Sequence, residues 1–329
     1  MANFVNIEKK WCFFAINSVC NNRCTMCSIW KQKPKIVSLD EAKRVIDKLY
    51  ENNFKVLQLT GGEPLLNPHF FEIVEYAKSL NFLVFAPTNG TLINNNMVKK
   101  LKESKIDQIS ISFHHHDPEK FEKITGRKGI FKKVINAIKL LNKNKIPVSV
   151  LYTITRDNID AIEETVKLAD KLNVAIAFCM PTIVKNTTFK IGGDGSSSDL
   201  TKDELKDALF RIIELKKHGY NIVNTMIFLL EMNRYLENRN KYRCLGGERF
   251  AYIDWNLDVY PCMCKGKPIN IEKYSFDKFQ KSECNKCMLQ CFREPSILLS
   301  NRKRTTKIAL RELPFMPVIA IKRFKTMMK

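Results

Sequence analysis

Residues 55–90 read KVLQLTGGEPLLNPHFFEIVEYAKSLNFLVFAPTNG, and this stretch decides the predicted fold. Its apolar runs, 55–60 and 82–87, are predicted strands, and residues 68–80 between them repeat apolar side chains at helical spacing. Such a unit returns to the same end of a sheet through a right-handed crossover. Similar patterns predict strands at 12–17, 106–113, 146–155 and 174–180, and helices at 38–51, 95–103, 117–142, 158–172 and 201–217. Six strand–helix units in tandem predict a parallel sheet, either doubly wound or closed toward a barrel.

Helix starts carry recognisable polar residues. Ser38, Asn67-Pro68 and Asp117-Pro118 are predicted to begin helices, because short polar side chains satisfy the first free N–H groups and proline suits the first turn. Residues 201–204, TKDE, have the pattern of a capping box.

Composition limits the class of protein. The 329 residues are 45% hydrophobic and 27% charged, which is typical of a folded globular chain. A run of eighteen apolar residues and a secretory signal are both absent from the sequence, so we expect a cytoplasmic protein. The net charge of +21 favours polyanionic partners, or else a cationic surface without a specific ligand.

Unusual residues follow the predicted strands. Because the carboxyl ends of parallel strands meet at one rim, where such folds bind ligands, we expect these residues to lie together. The segments are 20–27 after the first strand, then 61–64, 88–90, 114–117 and 156–158.

The first of these segments contains Cys20, Cys24 and Cys27. In a cytoplasmic chain, clustered cysteines indicate metal binding or catalysis rather than disulfides. A structural zinc site needs four ligands, and a dithiol redox motif needs two cysteines at a helix start. Three close thiolates suit an iron–sulfur cluster with one iron left open, and a zinc loop or three incidental cysteines are the alternatives.

The Cys-x3-Cys-x2-Cys spacing after the first of six strand–helix units resembles the radical S-adenosylmethionine (SAM) superfamily. The resemblance implies a partial (β/α)6 TIM-like barrel with a small Cys-rich C-terminal α+β domain. It also implies a [4Fe-4S] cluster on Cys20, Cys24 and Cys27, whose open iron chelates SAM. An electron from a flavodoxin- or ferredoxin-type donor would then cleave SAM to methionine and a 5′-deoxyadenosyl radical.

Further positions carry the same resemblance. Gly61, Gly62, Glu63 and Pro64 resemble the family's GGE motif, which holds the methionine ammonium group through backbone and carboxylate. The other expected cofactor-binding residues are Asn89, Ser112, Arg127, Thr153 and Asn158. His114 stands where relatives often have an acid. It is predicted to catalyse proton transfer, and the alternatives are that it shapes the substrate site or is only a polar residue there.

A second cysteine group comprises Cys244, Cys262, Cys264, Cys284, Cys287 and Cys291. With a predicted hairpin at 250–254 and 257–260, it resembles the SPASM or twitch extension, which binds auxiliary [4Fe-4S] clusters. Full SPASM domains use at least seven cysteines, so one auxiliary cluster is favoured over two, with zinc as the alternative. The predicted divisions are a core barrel at 1–219, this domain at 220–295 and a tail at 296–329. Cys12 and Cys179 are interpreted as buried small hydrophobes.

The tail is basic and amphipathic, with clusters at 302–304 and 322–325. This pattern is typical of an interfacial anchor on an anionic membrane surface, and a helix packed along the barrel or a disordered basic tail is the alternative. The substrate is therefore predicted only as a peptide, a lipid or isoprenoid, or a small metabolite. The competing hypothesis is a non-enzymatic metal-cluster protein that binds nucleic acid through its positive charge, which we favour less.

Overall fold

The computed structural model describes residues 10–180, 200–264, 267–276, 284–285 and 287–300. Its strands are β1 (Lys10–Ala15), β2 (Phe54–Thr60), β3 (Leu83–Thr88), β4 (Gln108–Ser112), β5 (Val148–Thr153), β6 (Ala175–Cys179), β7 (Phe250–Ile253), β8 (Asp258–Tyr260) and β9 (Ile269–Asn270). They form one sheet in the order β6-β5-β4-β3-β2-β1-β7-β8-β9. Strands β1 to β6 pair in parallel, which confirms the predicted partial (β/α)6 barrel.

Helices connect these strands and cover the sheet with apolar faces. They are α1 (Leu39–Glu51), α2 (Phe70–Ser79), α3 (Asn95–Glu103), α4 (Pro118–Thr125), α5 (Phe131–Lys143), α6 (Ile162–Lys171), α7 (Lys202–Lys217), α8 (Met226–Leu236) and α9 (Gln290–Leu299). Each described helix is too short or too polar to cross a lipid bilayer.

Local polar chemistry fixes several helix starts as predicted. Ser38 and Thr201 each complete a capping box, with Glu41 and Glu204 respectively. Asp117 accepts a hydrogen bond from the Lys120 N–H at 2.9 Å and so caps α4. These bonds satisfy N–H groups that the helix itself leaves free.

Three predicted helix boundaries were wrong. The segment 117–142 forms two helices, because Gly126 adopts a left-handed conformation (φ 64°) that ends α4. Helix α2 begins at Phe70 rather than at Asn67-Pro68, since the Asn67 amide donates instead to the Ile16 and Val37 carbonyls. The segment 158–172 starts with a 3-10 turn at Ile159–Ala161 before α6.

The C-terminal residues are joined directly to the barrel. The predicted hairpin is confirmed as the antiparallel pair β7 and β8, but β7 also pairs in parallel with β1 and extends the sheet. Helix α9 packs Phe292 against Phe13 of β1, with ring centroids 4.8 Å apart. Sequence patterns missed this continuity, because register between distant strands depends on three-dimensional pairing.

Helix α9 also changes the interpretation of the tail. It continues through Pro295 to Leu299, and Ser296 and Ile297 are completely buried. The predicted tail thus begins inside a packed helix, while residues 301–329, with both basic clusters, lie outside the described residues. Attachment to a membrane therefore stays a prediction.

Candidate active site at the barrel rim

The cysteine loop, residues 18–28, leaves the end of β1 and is anchored at both ends. The Ser18 hydroxyl donates to the Lys33 carbonyl at 2.8 Å, and the Trp30 indole N–H donates to the Cys27 carbonyl at 2.8 Å. Between these anchors, the Cys27 N–H donates to the Cys24 carbonyl at 3.1 Å. These bonds fix the path of the loop that carries the three thiols.

The thiols of Cys20, Cys24 and Cys27 influence one another electrostatically. Burial raises the pKa of Cys20 to about 11, and the neighbouring charges of Glu63 and Cys27 add to the rise. Burial, followed by Cys27 and Cys20, raises the pKa of Cys24 even further. Burial alone keeps these thiols protonated, and a bound cation would supply the compensating charge that lets them deprotonate.

The cysteine loop also contains polar groups directed at the thiols. The Asn22 N–H points at the Cys20 sulfur, 3.5 Å away, as backbone donors do around iron–sulfur clusters. The Asn22 side chain is only 2% exposed, and its Oδ1 has no hydrogen-bond partner among the described residues. A buried acceptor without a donor indicates that a further group completes this loop.

The GGE loop, residues 61–63, lies directly against the cysteine loop. The Glu63 N–H donates to the Val19 carbonyl at 2.8 Å, and the Gly62 N–H donates to the Asn17 carbonyl at 3.1 Å. A Cβ at Gly62 would lie 2.2 Å from the Val19 oxygen, so only glycine allows this approach. The glycine at this position therefore sets the distance between the two loops.

The Glu63 carboxylate joins the ends of β2 and β3. It accepts hydrogen bonds from the Thr88 hydroxyl at 2.7 Å, the Asn89 N–H at 2.7 Å and the Leu65 N–H at 3.1 Å. Burial raises its pKa to about 7, against the lowering effect of these donors. If this carboxylate binds the methionine ammonium as predicted, it must do so with oxygens that already accept hydrogen bonds from Thr88, Asn89 and Leu65.

Asn89 connects the third strand's loop to the cysteine loop. Its side-chain amide donates to the Asn21 Oδ1 at 2.6 Å, and the Asn21 amide donates to the Thr91 hydroxyl at 3.0 Å. The structure thus brings Asn89 next to the cysteines, together with Gly61, Gly62, Glu63 and Pro64.

Residues 124–127 form a clamp on the cysteine loop that was not predicted from the sequence. The Arg23 and Thr25 N–H groups donate to the Thr125 and Ile124 carbonyls at 3.0 and 2.9 Å. The Arg127 guanidinium donates to the Asn21 carbonyl at 3.1 Å, and its predicted role in cofactor binding stays a prediction. The sequence signal for this contact is Gly126, which ends α4 and so leaves the carbonyls of its last turn free to accept hydrogen bonds from the cysteine loop.

His114, Thr153 and Asn158 meet at the ends of β4 and β5. The His114 Nδ1 accepts a hydrogen bond from the Thr153 N–H at 3.2 Å, and the Asn158 amide donates to the His114 carbonyl at 3.0 Å. Burial lowers the pKa of His114 to about 4, so the ring is neutral near pH 7. With Nδ1 accepting, the proton is on Nε2, which no described residue contacts by a hydrogen bond.

The neighbouring histidines are arranged separately from His114. His115 accepts a hydrogen bond from the Asp117 N–H at 2.9 Å and stacks on His116, with centroids 4.7 Å apart. Ser112 occupies the half-buried end of β4, paired with Leu151 of β5. Of the three histidines, His114 is therefore the one bonded into the rim residues Thr153 and Asn158.

The second cysteine group is assembled from separate segments. The Cys244 N–H donates to the Cys284 carbonyl at 3.1 Å, and the Gly246 N–H points at the Cys244 sulfur from 3.4 Å. The Cys264 N–H lies 3.3 Å from the Cys262 sulfur. Burial, followed by Cys287, Cys244 and Cys284, raises the pKa of Cys262 to about 12. These thiols form one neighbourhood with N–H donors aimed at sulfur.

Cys291 lies at the border between this neighbourhood and the barrel. Burial raises the pKa of its thiol, and the first neighbour to add to the rise is Cys179. Cys179, interpreted from sequence as a small hydrophobe, ends β6 beside the cysteine group. Within the described ranges, no three Cys, His, Asp or Glu side chains converge on a position for a single metal ion.

This chain is similar to known proteins in sequence and in fold. Residues 15–169 match the family model described as the Radical SAM superfamily. The AdoMet-dependent heme synthase of Methanosarcina barkeri is 26% identical over 266 residues, which cover 74% of this chain and 73% of that protein.

Two solved structures share the fold. The structure of Streptococcus suis SuiB bound to S-adenosylmethionine has a TM-score of 0.67 at 16% identity, over 84% of this chain and 66% of that one. SuiB bound to its precursor peptide SuiA has a TM-score of 0.67 at 14% identity, over 91% and 73%. The chain thus spans about two thirds to three quarters of these proteins.

Proposed function

Since this chain is a radical SAM enzyme, with its radical SAM domain at residues 15–169, we propose that Cys20, Cys24 and Cys27 bind a [4Fe-4S] cluster. We also propose that the enzyme modifies an unactivated carbon of its substrate. When bound, cluster and SAM together supply a one-electron cleavage that yields methionine and a 5′-deoxyadenosyl radical. The observation that carries the proposal is the three-thiol loop held between the GGE loop and the clamp at 124–127.

Different residues of the rim are proposed to ligate the cluster, to bind its non-protein ligand and to position the cysteine loop. Three thiolates would leave one cluster position for a ligand that is not protein, and the backbone of Gly61, Gly62 and Pro64 is proposed to help hold that ligand. Glu63 and Asn89 tie the ends of β2 and β3 to the cysteine loop, which fixes the thiols before any ligand binds. Preorganisation of this kind lowers the cost of ordering the site during binding.

His114 is proposed to contact the substrate or the ribose through its Nε2–H. Its Nδ1 is held by the Thr153 N–H, and Asn158 orients the backbone on both sides. A ring whose pKa lies near 4 donates a hydrogen bond without carrying a positive charge at neutral pH. Ser112 and Thr153 are the further candidates for cofactor contact at these two strand ends.

The C-terminal cysteines are proposed to bind one auxiliary [4Fe-4S] cluster that exchanges an electron or ligates substrate. Support comes from the backbone N–H groups of Gly246 and Cys264, which point at the sulfurs of Cys244 and Cys262. Residues 1–219 are thus proposed to form the radical SAM core, and residues 220–295 the domain that binds the auxiliary cluster.

The proposed partners follow from the chemistry. Reduction of the first cluster requires a low-potential donor of the flavodoxin or ferredoxin type. The names of similar proteins put two substrate classes first, a tetrapyrrole and a peptide. The net charge of +21 favours an anionic substrate, and a tetrapyrrole with carboxylate side chains is anionic. An isoprenoid lipid and a small metabolite complete the set to be tested.

Anaerobic reconstitution tests the enzyme proposal. We expect absorbance typical of iron–sulfur clusters and 5′-deoxyadenosine that forms only with dithionite. Deuterated tetrapyrrole, peptide and isoprenoid pools are then compared for transfer of deuterium into 5′-deoxyadenosine. Zinc content, absence of that product and tight, salt-sensitive RNA binding would instead support the nucleic-acid hypothesis.

A further inference from the structure

Helix α9 buries a complete arginine side chain beside the C-terminal cysteines. Arg293 has 0% exposure and is the largest fully buried side chain among the described residues. Its Nη2 donates to the Tyr242 carbonyl at 2.5 Å, and its Nη1 donates to the Asn285 Oδ1 at 3.2 Å. The Nε–H, also buried, has no hydrogen-bond partner among the described residues.

The positive charge of Arg293 has no carboxylate partner within the described ranges. Glu231 is linked to Arg293 through Tyr242, but it accepts from the Tyr242 N–H and pairs with Arg234 at 3.4 Å. Glu294 accepts from the Thr225 N–H at 2.5 Å, the Asn224 amide at 3.2 Å and the Gln290 amide at 2.8 Å. Among the described residues, the carboxylates of Glu231 and Glu294 are therefore committed to other groups.

A buried charge without a partner is strongly unfavourable, because the low-dielectric interior does not replace the lost hydration. Hydrogen bonds to two neutral oxygens compensate only part of this cost. An arginine kept in such a position indicates that an anion belongs nearby in the working protein.

The two oxygens that Arg293 contacts identify the location of that anion. Tyr242 lies two residues before Cys244, and Asn285 lies between Cys284 and Cys287. Cys244 and Cys284 are themselves joined by a backbone hydrogen bond of 3.1 Å. The positive charge of Arg293 also reaches Cys287, where it opposes the rise in thiol pKa that burial causes. The guanidinium thus ties together the segments that carry three of the thiols.

We propose that Arg293 is the buried counter-charge of the auxiliary iron–sulfur cluster, placed beside the thiolates of Cys244, Cys284 and Cys287. The inference rests on the proposed auxiliary cluster. A cluster held by thiolates carries net negative charge, and one-electron reduction by an external donor adds one more negative charge. A fixed cation stabilises the reduced form more than the oxidised form, so Arg293 raises the reduction potential of this cluster.

The test isolates the second cluster and separates charge from shape. The triple variant Cys20→Ala/Cys24→Ala/Cys27→Ala removes the first ligand set, and Arg293→Gln and Arg293→Lys are then made in that full-length background. The measurements are iron and sulfide content and the midpoint potential from an EPR-monitored redox titration. Arg239→Gln serves as the matched control, because that arginine is 72% exposed and pairs only with Glu237 among the described residues.

The neutral variant is expected to lower the midpoint potential. At a fixed poise, the reduced-to-oxidised ratio should fall about tenfold, which corresponds to 59 mV for one electron. Arg293→Lys should stay within about threefold of the parent protein because it keeps the charge, and Arg239→Gln should not differ from the parent. Loss of cluster in Arg293→Gln with retention in Arg293→Lys also supports the proposal.

Equal shifts, or equal loss of cluster, in the lysine and glutamine variants would overturn it, since Arg293 would then act through shape alone. An unchanged potential in Arg293→Gln would also overturn it. If the triple variant binds no iron–sulfur cluster, both the auxiliary cluster and this inference are wrong. SAM cleavage by the unmodified chain would then show that the radical function stands without them.

Discussion

The two cysteine groups are built in opposite ways. Cys20, Cys24 and Cys27 share one loop, and backbone bonds from the GGE loop and from 124–127 fix its path. The C-terminal thiols come from several segments, which meet only because β7 joins the sheet beside β1 and α9 packs against Phe13. One set of ligands is contiguous in sequence, whereas the other exists only in the folded chain.

Their electrostatic surroundings also differ. The Glu63 carboxylate adds negative charge beside Cys20, whereas Arg293 adds positive charge beside Cys287. A negative neighbour makes a thiolate cluster harder to reduce, and a positive neighbour makes reduction easier. The same type of ligand therefore has a negative neighbour in one group and a positive neighbour in the other.

The largest expected effect comes from breaking the contiguous set. Cys24→Ala removes the central thiol of the loop, so SAM cleavage should be abolished, as measured by dithionite-dependent 5′-deoxyadenosine. Cys12→Ala is the control, because Cys12 is buried within β1, away from the rim, and should leave the cleavage intact. Comparable cleavage in both variants would refute the assignment of the loop.

The next effect tests how closely the GGE loop must approach. In Gly62→Ala the new Cβ meets the Val19 oxygen at 2.2 Å, so the cysteine loop must shift. We expect about 1–3 kcal/mol of lost stability and a fall of roughly tenfold to a hundredfold in 5′-deoxyadenosine formation.

Gly219→Ala is the matched control for that substitution. Gly219 has φ 91° and open space around its Cβ position, so alanine brings backbone strain without a clash. It should cost about 1 kcal/mol and leave the rate unchanged. If both variants lose the same activity, the contact between the two loops is not what matters.

A smaller effect concerns the pH dependence of stability. The folded pKa of His114, about 4, lies below its ordinary value of 6.5, so the folded state resists protonation that the unfolded chain accepts. Relative to His114→Asn, the wild type should lose stability as the pH falls from 6.5 toward 4, by at most about 1.4 kcal/mol per pH unit. Urea midpoints at several pH values measure this difference, and parallel curves for the two proteins would contradict it.

The smallest expected effect on SAM cleavage comes from removing one thiol of the second cysteine group. Cys287→Ala should change uncoupled SAM cleavage by less than about twofold, because its thiol lies outside the first ligand set. Its iron content should nevertheless decrease. Loss of SAM cleavage comparable to that of Cys24→Ala would show that the two groups act as one centre and would remove the distinction drawn above.

Local patterns predicted much of the barrel and the first site. Strand and helix periodicity gave the parallel sheet, and the capping box at Thr201 was confirmed because such bonds involve neighbours in sequence. The division of 117–142 into two helices was not predicted. Apolar residues keep their helical spacing across Gly126, but the left-handed backbone of that glycine ends α4. The hydrogen bond from Arg127 to the Asn21 carbonyl at 3.1 Å was not predicted either, because the two residues are far apart in sequence.

The amino-acid sequence by itself determined the strand–helix alternation, the cysteine spacing and the glycines at the rim, because each depends on residues close together in the chain. Only the tertiary structure decided that β7 extends the barrel sheet, that Cys179 lies beside Cys291 and that Arg293 is buried without a carboxylate partner among the described residues. Those features depend on packing between segments far apart in sequence, and burial turns an ordinary arginine into a strong local charge.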